Sequence, residues 1–337
     1  MSMMALNFSC KALLASLPQK YHKRCLSQLT NSAVCRRRAL LFDEEEKRQR
    51  SLVGRVQKME VNYEGAPENC TLVMNQHLST PHDCAKHLSE AILQKAALAE
   101  VDGRPWDMHR PLSADSCTLR YLYFKDAEPF AVNKAFWRSC SLMLGAVVEE
   151  AFKDQYYVQL HSFPSPNVRS GSFLYDVQLP LDSWQPTDQE LRVLSGMMRR
   201  LAQRALPFRR LEVPQAVALE MFAENEFKRS QVPSIAQQSE TGDRVTVYRC
   251  GDHVDLSRGP AISHTGLLGR CSICAVHRIE ADSGPLYRFQ GVALPSDLML
   301  NHFAFGLLED RARHLNPSGS VAASGRGDTA AAEAASG

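Results

Sequence analysis

Few residues in this 337-residue chain stand at spacings that chemistry uses. Cys271-Ser272-Ile273-Cys274 is a CxxC pair flanked by His264 and His277. Thiolates and imidazoles are the usual ligands of tetrahedral zinc, but such a site takes four ligands and no second CxxC or close histidine pair accompanies this one. The residues around it alternate as a strand, so both cysteines are expected in the core and no metal is expected. His77, His82 and His87 recur at five-residue steps, which does not place them on one helical face, and they read as surface histidines. Arg199, Arg200 and Arg204, with Arg209 and Arg210, form the densest basic cluster beyond the first 42 residues. Planar guanidinium groups suit phosphates, so these five are candidate RNA contacts; the competing reading is a solvated helix face. Trp106, Trp137 and Trp184 are expected as packing anchors. No cofactor is expected.

The elements that must position these residues divide the chain in two. Residues 59–63 alternate as a strand and 71–74 suggest another. Ser79-Thr80-Pro81-His82-Asp83 opens a helix whose Cys84, Leu88, Ile92 and Ala96 are spaced four apart. Asp102-Gly103 signals a tight turn, and 118–124 closes the unit as a strand. Ala127-Glu128-Pro129 breaks the pattern. From 132 to 152, Phe136, Cys140, Met143, Val147 and Ala151 recur at helical spacing. Strands are expected at 156–161 and 172–178, and a helix over 187–205 with Thr187 and Glu190 as a capping box. A helix over 213–223, strands at 244–249, 271–279 and 286–294, and a last helix over 296–314 follow. The fold class is α+β.

Charge is unevenly distributed. Met1 to Phe42 contains seven Lys or Arg (Lys11, Lys20, Lys23, Arg24, Arg36, Arg37 and Arg38) and no acid, leaving a body with 32 bases and 37 acids. The acid-free stretch has the composition of a mitochondrial transit peptide, expected over 1–38 with cleavage near Arg37 or Arg38; the competing reading is a disordered basic arm that stays on the protein. A body of net negative charge is not that of a dedicated nucleic-acid binder, so any RNA contact must use a local patch. Asp43-Glu44-Glu45-Glu46 before Lys47-Arg48-Gln49-Arg50 predicts a short exposed helix, within a segment 39–57 of helix and linker. No run of 18 apolar residues predicts a membrane span. Ten cysteines at irregular spacings fit a reducing compartment. Residues 315–337, dominated by Gly, Ala and Ser, are expected to be a disordered tail, in which Arg326-Gly327-Asp328 is a chance tripeptide.

Three stretches carry a family resemblance. Residues from Glu100-Val101-Asp102-Gly103-Arg104-Pro105-Trp106-Asp107 to Arg110-Pro111-Leu112 resemble the TGS domain that opens threonyl-tRNA synthetases. Phe136-Trp137-Arg138-Ser139-Cys140-Ser141-Leu142-Met143-Leu144-Gly145 resembles the first motif of the editing domain that follows in those enzymes. The run from Tyr248-Arg249-Cys250-Gly251-Asp252-His253 through Val254-Asp255-Leu256-Ser257-Arg258-Gly259-Pro260 resembles the second, and is the most specific of the three. The resemblance implies a small TGS-like domain of ubiquitin/β-grasp type over 58–127 and an editing-like α+β domain over 128–314.

The departures from that family decide what it implies. Its editing domain carries His-x-x-x-His on the helix and Cys-x-x-x-His in the later loop, where this chain has Arg138, Leu142, Ser257 and Ala261. Leucine and alanine side chains have no lone pair to offer, and arginine stays protonated and repels a metal cation. Catalysis of editing is therefore expected to be absent, and with it any small-molecule substrate. The aminoacylation and anticodon-binding domains are expected to be missing too. With the acid-free leader, this two-domain shell resembles a family of mitochondrial large-subunit ribosomal proteins. That resemblance implies a non-catalytic structural role, large-subunit ribosomal proteins and 16S-type mitochondrial rRNA as partners, and no membrane. Two alternatives from other classes are a tRNA-editing deacylase using His253 and Asp255, and a tRNA- or synthetase-binding module.

Overall fold

A computed structural model describes residues 30–181 and 183–319. Residues 1–29, most of the expected 1–38 transit peptide, and 320–337, most of the expected tail with its Arg-Gly-Asp, lie outside the described residues.

The first element is longer than the charge pattern predicts. Helix α1 (Asn31–Ser51) starts on Thr30, whose hydroxyl accepts from the Ala33 amide at 3.2 Å. Asn31, Val34, Arg38, Ala39, Phe42 and Glu45 are buried along one face. The expected boundary at residue 38 thus falls inside a packed helix. The 43–50 stretch is not a solvated helix either: Asp43 and Glu46 pair with Arg209, and Asp43 also with Arg249.

A five-stranded sheet follows. β1 (Lys58–Tyr63) pairs antiparallel with β2 (Cys70–Asn75). The chain turns into α2 (Pro81–Leu88), where Thr80 and Asp83 close a capping box. The helix predicted to reach Ala96 breaks at Ser89, which is extended and caps the separate α3 (Glu90–Lys95). β3 (Leu98–Val101) and β4 (Arg104–Trp106) form a hairpin on Asp102-Gly103, both with positive φ as the turn demands. β5 (Ser116–Leu122) runs parallel to β1 and antiparallel to β3, giving the order β2-β1-β5-β3-β4. Met59, Val61 and Tyr63 of β1 pack on Cys84, Ala85 and Ile92 of the helices and on Leu119 and Tyr121 of β5.

The remainder is built on α4 (Phe130–Ala151), which the apolar spacing predicts. Its Phe136, Cys140, Met143 and Val147 enter a core shared with β6 (Gln159–Ser162), β7 (Phe173–Gln178) and α5 (Asp188–Gln203). Thr187 and Glu190 cap α5 as expected. After it come β8 (Arg209–Pro214), α6 (Gln215–Met221), α7 (Glu226–Gln237), β9 (Arg244–Cys250) and β10 (His253–Leu256). Then β11 (Leu268–Ala281), β12 (Gly284–Pro295) and α8 (His302–Arg313) complete the described chain. Two antiparallel sheets result, β10-β9-β8 and β11-β12-β7-β6. With the first sheet, the fold is a mixture of helices and several sheets. Among the described residues no helix is long and apolar enough to cross a membrane.

The predicted tail begins too early. Arg288 makes a buried bidentate pair with Asp176, at 2.8 and 2.7 Å, and donates to the Asn316 carbonyl. The buried Asn316 side chain in turn donates to Ser172 and Ser170. Residues 315 and 316 therefore belong to the folded body.

Candidate functional site

The second-motif loop is held between α4 and the five-stranded sheet. Asp107, just after β4, accepts from the Ala261 amide and the Tyr248 hydroxyl, each at 2.8 Å, with Arg210 3.6 Å away. Burial raises the Asp107 carboxyl above its ordinary range, against the opposing pull of Arg210 and these two donors. From the other side, the Ser139 hydroxyl of α4 accepts from the Ile262 amide at 3.0 Å. Arg138, one residue earlier, donates to the Pro260 carbonyl at 2.8 Å. The loop is thus tied down at or beside the positions the resemblance singles out, Arg138 and Ala261 among them.

Those four positions split. Arg138 and Ser257 line a cleft of about 730 Å³, together with Arg110, Arg210, Lys228 and Arg258. Leu142 is sealed in the main core, and Ala261 is buried beside Asp107. Of the two that reach the cleft, Arg138 offers no base and Ser257 only a hydroxyl. Arg138 is 7% exposed and has no carboxylate partner among the described residues, and burial lowers its guanidinium pKa against the opposing influence of Tyr248 and Asp107. The cleft has a largely cationic wall, on which Glu212 and Glu240 also lie. Among the described residues no group of three or more His, Cys, Asp or Glu is placed to hold a metal ion. The CxxC cysteines diverge: Cys271 enters the main core and Cys274 the cluster under α8.

His253 and Asp255 are structural. His253 donates from Nδ1 to Glu149 at 2.7 Å, and that carboxylate also accepts from Arg38 of α1 at 2.7 Å. Burial raises the Glu149 pKa, but Arg38 and His253 outweigh it and take it down to about 2. Asp255 is fully buried against Lys228, at 2.6 Å, and also accepts from the Tyr175 hydroxyl. Neither residue lines the cleft, so neither can meet a substrate there.

No family model matches the chain. Large ribosomal subunit protein mL39 of Drosophila melanogaster is 52% identical to it over 291 residues, 86% of this chain and 86% of that protein. The chain belongs to the mL39 family. This mL39-family chain is also 32% identical over 229 residues to the mitochondrial threonine–tRNA ligase of Rattus norvegicus, and 30% identical over 226 residues to the cytoplasmic threonine–tRNA ligase 2 of Homo sapiens. The two matches take in 67% and 66% of the chain but only 30% and 26% of the ligases.

The five arginine candidates do not form one surface. Arg199, Arg200 and Arg204 are exposed on the last turns of α5, with no carboxylate partner among the described residues. Arg209 and Arg210 lie on β8 and are engaged internally. Arg209 packs over Phe42, 5.2 Å from the ring centre, and pairs with Asp43 and Glu46. Arg210 is mostly buried between Asp107 and Glu212. Sequence spacing missed this because the acids that claim these two arginines come from distant elements. The tryptophans are anchors as expected: Trp137 meets Phe173, and Trp184 meets Phe152, Tyr287 and Phe289. Trp106 carries the Arg110 guanidinium 3.7 Å above its ring centre.

Proposed function

We propose that this chain is a non-catalytic structural component of the large subunit of the mitochondrial ribosome. The observation that carries the reading is its identity with mL39 along most of both chains. The cleft agrees with it, because Arg138, Leu142, Ser257 and Ala261 have replaced the groups that hydrolysis needs. Large-subunit proteins are its partners in this reading. Contact with 16S-type rRNA is assigned to Arg199, Arg200 and Arg204, the exposed and unpaired members of the arginine cluster. Arg209 and Arg210 are withdrawn from that role by their internal acids.

We read residues 58–127 as a TGS-like domain of β-grasp type and 128–314 as a degenerate editing domain. The first reading is supported by the order β2-β1-β5-β3-β4, with a parallel central pair and a hairpin on each flank. The second is supported by the loop that Arg138 and Ser139 clamp. Gradient fractionation of mitochondrial lysate, at moderate and then high salt, tests the function. Co-migration with the large subunit under both conditions is expected, since contacts beyond screened phosphate pairing survive salt. Recovery only in light fractions at moderate salt overturns the reading and favours a free deacylase or a tRNA-binding module.

A further inference from the structure

We propose that the 730 Å³ cleft is a binding site for a small organic phosphate, held by the guanidinium of Arg138. The proposal goes beyond the ribosomal reading and does not depend on it. It starts from a charge that the fold leaves unanswered.

Four Lys or Arg residues are buried among the described residues: Arg38, Arg138, Lys228 and Arg288. Three of them meet a buried acid at close range. Arg38 has Glu149, Lys228 has Asp255 and Arg288 has Asp176, at 2.6 to 2.7 Å. Arg138 has none. Asp107, the acid of its neighbourhood, is taken up by Tyr248, the Ala261 amide and Arg210. A guanidinium carries five N–H donors, and the Pro260 carbonyl accepts from Nη1 of Arg138 alone. Removing a cation from water without a counter-charge is costly, so an oxyanion entering beside it gains a strong partner. The guanidinium fork matches two oxygens of a phosphate.

The cleft on which Arg138 opens is built to admit such a group. Arg258 also lines it, exposed and with no carboxylate partner among the described residues, its guanidinium donating to Gln238 at 2.9 Å. The short loop that carries Arg258 is fixed in place. Gly259 has a φ of 72°, a side chain there would collide with the Tyr248 hydroxyl, and Arg138 itself holds the next carbonyl. Six cations line the cleft against two acids, Glu212 and Glu240. The rest of the lining includes Phe163, Pro164, Pro166, Ile235 and Leu256, an apolar surface that a bare ion would not use. The volume lies within the roughly 300–1,000 Å³ of small-molecule sites. A phosphate monoester on a flat, uncharged body, such as a mononucleotide, answers both surfaces. It is bound there and not transformed.

The test is a calorimetric titration of the purified full chain with AMP at physiological salt. Adenosine and an oligoribonucleotide with hydroxyl ends are the parallel probes. Saturable binding of AMP is expected, with no binding of adenosine and no displacement of AMP by the oligonucleotide. Arg138→Gln should weaken AMP binding about ten- to a hundredfold, the size of a lost hydrogen-bonded charge pair. Its melting temperature should not fall, because the change removes an unanswered buried charge. Arg258→Glu, on an exposed residue, should weaken AMP as well, and it decides the matter should Arg138→Gln fail to fold. Absence of saturable AMP binding, or equal binding of adenosine, overturns the proposal. Displacement of AMP by the hydroxyl-ended oligonucleotide also overturns it, in favour of an RNA strand. Unchanged AMP affinity in the folded variants does the same. Co-migration with the large subunit is a separate measurement, so the two readings stand or fall apart.

Discussion

Glu149 is the residue on which the N-terminal helix closes. Its carboxyl pKa is held at about 2 against an ordinary 4.5, burial being outweighed by Arg38 and His253. A folded-state value below the unfolded one gives stability that is complete above about pH 4.5 and is lost as pH falls towards 2. Replacing Glu149 with Gln is expected to remove that part of the acid dependence, read by denaturant unfolding across this pH window. At neutral pH the same change leaves Arg38 buried without its counter-charge and is expected to cost about 3–5 kcal/mol. An unchanged acid profile would mean the pair contributes nothing. At this scale the sequence was only partly legible. The substitutions at Arg138, Leu142, Ser257 and Ala261 could be read because a motif fixes their positions. The fate of Arg209 and Arg210 could not, since Asp43, Glu46 and Asp107 reach them only through tertiary structure.

Elements with a strong local signal are those the sequence foretold. The α4 periodicity, the Thr187–Glu190 box of α5 and the Asp102-Gly103 hairpin all reappear, because each is fixed by residues within a few positions of one another. The elements that escaped are those whose local pattern is overruled. In β8, Leu211 and Val213 alternate inward, but Arg209, Arg210 and Glu212 mask the strand and the following α6 claims its end. Helix α7 contains Pro233 and buries Lys228, both poor signs of a helix in isolation. Thr187→Ala should lower stability by about 1 kcal/mol in thermal unfolding, through the lost cap alone. A fall several times larger would mean that the cap also holds α5 against the core.

For the molecule as a whole, the exposed arginines of α5 are the part of the surface to which we assign RNA. Charge reversal at all three positions (Arg199→Glu, Arg200→Glu and Arg204→Glu) is expected to leave the melting temperature nearly unchanged, as these side chains are exposed. Release of the chain from the large subunit should occur at lower salt than for the unaltered protein, because fewer phosphates are neutralised. An unchanged salt threshold would return them to a solvated face. Neither charge total nor composition pointed to this place, since the body beyond Phe42 carries more acid than base.

The docking of α1 also sets an order of events. Its hydrogen bonds to the rest of the protein span from 111 residues, Arg38 to Glu149, up to 210 residues, Ala39 to Arg249. Contacts so far apart in the chain are late to form, because a long loop must close before they contribute anything. While the protein is being synthesised from its N-terminus, the partners of this helix arrive 111 to 210 residues behind it. The N-terminal helix is therefore fully latched only once Arg249 has come through behind it.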